Sequence, residues 1–251
     1  RVFRLVEDQA LINRLGFNNL GAENISNRIR SNPNTGLLGI NIGPNKESRN
    51  RLNDYLIGLR TFYDIANYIT INISSPNTEN LRNFHDKTKF SELIESIQKE
   101  KIKLKSKIPI VVKISPDISD IQIEFISKIL LDHEVSAIIV SNTTAKNREK
   151  LNNILKHQKG GLSGKPLEED SNILINKFYK LLKNKIEIIG VGGVDSGESA
   201  YRKFLAGASH VQLYTGMVYQ GPNIVEKIKK KLKKILIVDG VKSFREIIGK
   251  K

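Results

Sequence analysis

Thr70-Ile-Asn-Ile-Ser-Ser-Pro-Asn-Thr-Glu-Asn-Leu-Arg82 changes character in its middle. From Tyr68 to Ile73, β-branched or aromatic residues alternate with polar ones, the period-two pattern of a strand. From Ser74 onward the run is a polar turn, with Pro76 between Ser75 and Asn77. Such a junction gathers hydroxyls, amides and backbone N–H groups at one C-terminal strand edge, where parallel α/β folds place their chemistry. Ser, Pro, Asn and Thr are also ordinary turn residues, and composition alone favours a plain strand-to-loop junction.

Outward on the N-terminal side, Leu52, Tyr55, Leu56, Leu59 and Phe62 recur at helical spacing, so residues 52–66 read as a helix. Before it, Gly36-Leu-Leu-Gly-Ile-Asn-Ile-Gly43 reads as a buried strand stopping at Pro44, with Asn41 polar inside an apolar run. A buried amide needs partners, so Asn41 is either a core hydrogen-bonding group or a ligand contact. Residues 22–30 read as a further helix, Asn13-Arg-Leu-Gly-Phe-Asn-Asn19 as a polar loop, and Val2–Val6 as a short strand.

On the C-terminal side, a helix over 90–104 leads to Ile108-Pro-Ile-Val-Val-Lys-Ile-Ser-Pro116, an apolar strand with one cation, Lys113. A strand flanked by helices is covered on both faces. The Lys113 ammonium therefore reaches a polar pocket or bears a large desolvation cost; a snorkelling edge-strand lysine is the plainer alternative. Helix 119–133 follows, then the strand Val135–Thr144, which again closes in hydroxyls and an amide. A lysine-rich connection runs to Lys159-Gly-Gly-Leu-Ser-Gly-Lys-Pro-Leu167, read as a loop whose amides approach a ligand, or as plain turns. It lacks P-loop spacing. Ile186–Val194 is a strand ending in Gly192-Gly193, residues 197–206 a helix, and His210-Val-Gln-Leu-Tyr-Thr-Gly216 the last strand. A basic helix over 224–235 and a short one begun by Ser243 close the chain.

Strand and helix alternate six times, which argues for a parallel sheet wrapped by helices in one domain over residues 1–251. A doubly wound sheet fits the alternation. A (β/α)8 TIM barrel fits more, because polar residues recur at every strand's C-terminal end and the last two ends are Gly-rich, where such barrels hold a phosphate. Gly192, Gly193, Thr215 and Gly216 are candidates for that grip. The barrel is two strands short, both on the N-terminal side.

Of 251 residues, 39% are hydrophobic, enough for a packed core. There is no cysteine, which excludes disulfide, thiolate and cysteine–metal chemistry, and the four histidines lack ligand-like spacing, so no metal is expected. Lys and Arg number 41 against 26 Asp and Glu, a formal charge of +15. Only residues 227–234 form a dense basic run; no aromatic interleaves it and no nucleic-acid motif appears. A solvated helix face is favoured over a nucleic-acid or membrane patch. No apolar run approaches the roughly 20 residues of a membrane span, no signal peptide is evident, and Arg1 in place of Met places a true start upstream.

Asn72-Ile-Ser-Ser-Pro-Asn-Thr78 with Leu81-Arg82 resembles the catalytic loop of dihydroorotate dehydrogenases, and its serine is similar to that of the class 2, quinone-linked, membrane-associated enzymes. The resemblance extends through Asn13–Phe17, Gly39–Gly43, Val112–Asp117, Ser141–Thr144, Gly160–Leu167, Ile189–Gly193 and Gln212–Gly216, in family order. It implies a flavin mononucleotide (FMN) barrel oxidising (S)-dihydroorotate to orotate in pyrimidine synthesis, with a quinone as electron acceptor and no nucleic-acid partner. By the resemblance Ser75 is the general base, with Phe17 and Thr78 supporting its proton path. Asn13, Arg14, Leu15, Gly16, Phe17, Asn72, Asn77, Asn142 and Thr143 match substrate contacts. Asn41, Asn72, Lys113, Ser141, Gly164, Gly193, Tyr214 and Thr215 match flavin contacts; the family often has Thr at the position of Ser141, so a hydroxyl is kept.

The residue chemistry agrees with that assignment. A serine hydroxyl needs a dry pocket and an acidified carbon to act as a base, and Lys113 near the flavin would stabilise negative charge arriving with hydride. The family's first two barrel strands, a substrate-contacting lysine and the helical pair that meets the membrane would all precede Arg1. The expectation is therefore the larger, C-terminal part of a class 2 enzyme, peripheral on the cytoplasmic face of the inner membrane in a bacterium and not competent alone. Two competing readings are a flavin-free barrel enzyme for a phosphorylated substrate and a basic nucleic-acid or membrane-surface binder. Neither uses Lys113, Ser75 and Asn142 together.

Overall fold

The computed structural model describes residues 1–32, 36–45, 47–74, 86–146 and 148–250. An antiparallel pair, β1 (Val2–Leu5) and β2 (Ala10–Asn13), precedes helix α1 (Ala22–Ser31). Strand and helix then alternate as β3 (Gly39–Ile42), α2 (Arg51–Phe62), β4 (Tyr68–Asn72), α3 (Lys87–Lys103), β5 (Ile110–Lys113), α4 (Asp120–Asp132) and β6 (Ala137–Val140). After the connection come β7 (Gly161–Gly164), α5 (Glu168–Leu182), β8 (Glu187–Val191), α6 (Gly197–Ala206), β9 (His210–Gln212), α7 (Thr215–Gln220) and α8 (Ile224–Val238).

The main sheet is parallel and ordered β3–β4–β5–β6–β8–β9. A doubly wound sheet reverses its order partway. This one never does, so it is part of a (β/α)8 barrel. Among the described residues β3 and β9 each have one neighbour and the sheet stays open at six strands.

Alternation along each strand divides the sheet's two faces. Ile69, Ile71 and Ile73 join Val112, Ile138 and Ile188 in a helix-side cluster packed by Tyr55, Phe90 and Phe178. Tyr68, Val111, Ala137, Ile139 and Ile189 fill the barrel side. Capping fixes where helices begin: the Asp86 carboxylate accepts from the N–H groups of Thr88 and Lys89, and Ser119 with Gln122 forms a capping box at α4.

Several elements differ from the sequence reading. The strand near Asn41 is not buried: as an end strand it lacks cover on one side, and Asn41 is exposed. The Gly-rich run 160–167 is not wholly a loop, because β7 pairs antiparallel with β2, Ala10 opposite Gly164. β1, β2 and β7 thus form a second small sheet. Helix α7 begins at Thr215, which shortens the last strand; α5 was not anticipated. The Tyr219 hydroxyl, from α7, bridges the carbonyls of Leu5 and Ala10 at 3.1 and 2.9 Å, holding the small sheet to the end of the barrel chain.

A lysine is sealed within the helical layer. Lys203 of α6 is wholly buried, and burial pulls its amine down to about 7, with Glu168 opposing and Arg202 adding to the shift. The unfolded chain takes up this proton below about 10.5, whereas the folded one stays neutral until about 7. The unfolded state therefore binds more protons across that window. Stability rises with pH there, by up to about 1.4 kcal/mol per unit from this group, and is lowest below it. Urea unfolding of Lys203→Met between those limits should show a flatter rise than the parent; parallel curves would contradict the buried neutral amine.

Candidate active site

Strand ends bring the polar residues together. In the β4–β5 register Asn72 lies directly opposite Lys113, both at C-terminal strand ends. Asn72 is buried, and its backbone carbonyl accepts a 2.7 Å hydrogen bond from the Tyr55 hydroxyl of α2. Its side-chain oxygen accepts from the Ser74 N–H at 3.1 Å and the Ser74 hydroxyl at 2.7 Å. The Asn142 amide then donates to the Ser74 oxygen at 2.9 Å, while its own oxygen accepts from the Thr143 N–H. A relay Asn72–Ser74–Asn142 therefore ties the ends of β4 and β6 above Lys113.

Lys113 is the electrostatic centre. Burial pushes its ammonium below the ordinary lysine range, and no carboxylate among the described residues forms an ion pair with it. A cation held so needs an electron-rich partner or gives up its proton.

Across the sheet lies a cavity of about 240 Å³, lined by Lys113, Ser141, Asn142 and Thr143, and by Gly192, Gly193, Tyr214, Thr215 and Gly216. Asn13, Ser163 and Gly164, at the ends of the small sheet, complete its wall. Thr215 is buried and its hydroxyl donates to Ser163 at 2.9 Å, which joins α7 to β7. At Gly193 φ is +72°, and a Cβ would stand 2.5 Å from the Glu168 Cβ and 2.9 Å from the Glu168 nitrogen. Only glycine fits this turn, which bares its backbone to the cavity. The four residues singled out for a phosphate grip thus share one wall.

Other expected residues lie elsewhere. Gly16, Phe17 and Asn41 line a separate cavity of about 500 Å³ beside β3, and Phe17, with φ +57°, is exposed. The Arg14 guanidinium donates to the Lys159 carbonyl at 3.0 Å and sits over the Phe3 ring, holding the loop before β7. The Leu15 carbonyl accepts from Arg1. Ser75, Asn77 and Thr78 lie outside the described residues. Ser74 and Ser163 were not singled out from sequence. The Ser74-Ser75 doublet held the signal for Ser74, but the loop serine drew the reading. Ser163 needed the β2–β7 pairing to place it. No helix is long and apolar enough to cross a membrane, and no group of three His, Asp or Glu is placed to hold a metal, among the described residues.

An open (β/α) barrel with its polar cavity at the C-terminal strand ends defines the class: a barrel enzyme that works on a ligand held at the strand tips. The chain belongs to the dihydroorotate dehydrogenase family, which it matches over residues 1–236. It is 41% identical over 250 residues to a dihydroorotate dehydrogenase (quinone) of Bartonella tribocorum, covering 98% of this chain and 69% of that relative. A relative of the same name from Idiomarina loihiensis is 44% identical over 234 residues, covering 91% of this chain and 70% of its own length. The Eimeria tenella DHODH crystal structure in complex with ferulenol superposes with a TM-score of 0.95 at 33% identity, covering all of this chain and 73% of that one.

The relay makes a direct prediction. Ser74 is completely buried, so Ser74→Ala leaves the Asn72 oxygen and the Asn142 amide short of a partner at about 1–3 kcal/mol. A denaturant midpoint equal to the parent's would show that the relay contributes nothing.

Proposed function

We propose that this chain is a quinone-linked dihydroorotate dehydrogenase using FMN. The observation that carries it is Lys113: a half-buried, desolvated cation with no ion-pair partner among the described residues, opposite Asn72 and in one cavity with Asn142 and the Gly192–Gly193 turn. The residues suit FMN chemically. Gly193 offers backbone to a phosphate, Thr215 and Ser163 offer hydroxyls, and Lys113 offers the positive charge that an electron-accepting ring needs. Ser141, Gly164 and Tyr214 lie on the same wall, and Asn41 and Asn72 complete the proposed flavin contacts. Bound FMN would supply the hydride acceptor for C6 of (S)-dihydroorotate and the two-electron link to a quinone, with orotate as product.

The chain's own residues do the rest. Ser75 removes the C5 proton of the substrate, and its chain neighbour Ser74 is fixed to β4 and β6 by the relay. Phe17 and Thr78 flank that proton path. Asn72, Asn77, Asn142 and Thr143 supply the donors and acceptors that the imide edge and carboxylate require, with Asn13 to Phe17 as further proposed substrate contacts. Lys113 lowers the barrier by meeting negative charge at the flavin. We take residues 1–251 as one barrel domain, in a protein peripheral to a membrane, at the cytoplasmic face of the inner membrane if its source is bacterial.

Anaerobic stopped-flow mixing of the FMN-loaded protein with dihydroorotate should bleach the flavin absorbance. Ser75→Ala should slow the bleaching by about 100-fold or more, and Lys113→Met by about 100-fold. Bleaching at the parental rate in Ser75→Ala would remove Ser75 as the base, and no bleaching in the parent would remove the assignment.

A further inference from the structure

Lys203 has no part in the chemistry described above, yet its surroundings point at the site. Helix side chains lean toward the helix N-terminus, so the stem of Lys203 rises from α6 toward the strand tips. It passes over Gly190 of β8, where a Cβ would stand 3.0 Å from the Lys203 Cδ. Its amine reaches the first turns of α5, bonding the Asn172 side-chain oxygen at 2.8 Å and lying 3.4 Å from the Glu168 carbonyl. Asn172 is buried too. The neighbouring Arg202 pairs with the Glu168 carboxylate at 2.5 Å. Two successive residues of α6 thus hold one residue of α5, from inside and outside the layer.

Glu168 is also the residue against which Gly193 packs. One turn on, the Ser171 hydroxyl donates to the Val191 carbonyl at 2.6 Å. The Gly192–Gly193 turn therefore rests on the first turn of α5, and that turn is held by α6 through Lys203. An apolar side chain of similar length would fill the volume but could not bridge the two helices with a hydrogen bond.

We propose that Lys203 is a positioning residue for phosphate binding: by tying α5 to α6 it sets the Gly192–Gly193 backbone where the flavin phosphate is gripped. The inference rests on the FMN reading above. It concerns only the phosphate end, so it separates ligands with and without that group.

The test compares FMN with riboflavin, which has the ring but no phosphate, by quenching of flavin fluorescence on the purified chain. Lys203→Met should weaken FMN binding by about tenfold or more while riboflavin binding changes less than about twofold. Asn172→Ala removes the acceptor and leaves the lysine; it should show the same selective loss to a smaller degree, and it decides the matter if Lys203→Met does not fold. Equal loss of both flavins, or no loss of FMN, would overturn the positioning role and leave the FMN reading standing. A parent chain that binds neither flavin would overturn both.

Discussion

A lysine at the end of a buried strand, without a compensating carboxylate among the described residues, is the constraint on which the site depends. Desolvation of an ammonium is expensive, and folding brings Lys113 into that position because Ile110, Val111 and Val112 before it are held in the sheet on both sides. The strand cannot slip to relieve the cation: a shift of one residue would turn every side chain to the opposite face. The energy set against the charge is available to whatever electron-rich group enters the cavity.

The surrounding structure keeps that position usable. Tyr55 fixes the end of β4 from the helical layer, and burial pushes its phenol far above the ordinary range, so it stays a neutral donor. The Asn72–Ser74–Asn142 relay spans β4 to β6 across the tip of β5, so the ends of β4 and β6 are tied together. On the far wall the Thr215–Ser163 hydrogen bond joins α7 to the small antiparallel sheet, and Gly216 of α7 packs against the Val194 carbonyl of the β8–α6 turn. Ring and phosphate of a mononucleotide flavin would then be met by two separately braced walls.

Much of this was legible in the sequence because period-two apolar runs and strand-end polar residues are local signals. Lys113, Asn72, Asn142, Gly193 and Thr215 were found that way, and the structure gathers them. What escaped depends on partners distant in sequence. Gly161–Gly164 is a strand because it pairs with Ala10–Asn13, about 150 residues earlier in the chain. Asn41 reads as buried because its neighbours are apolar, yet it is exposed because its strand lies at the sheet's edge. Lys203 sits at an unremarked position of a basic sequence, and only three-dimensional packing shows that, unlike the lysines of α8, it is sealed from water.

The ionisation of Lys113 is read directly by NMR of selectively ¹³Cε-labelled lysines, with the signal assigned by Lys113→Arg. Without flavin the amine should titrate below the ordinary lysine range, and adding FMN should move it upward as an electron-rich partner arrives. An ordinary lysine titration, or a depressed one that FMN leaves unmoved, would contradict the proposal that this half-buried cation is the flavin's electrostatic partner.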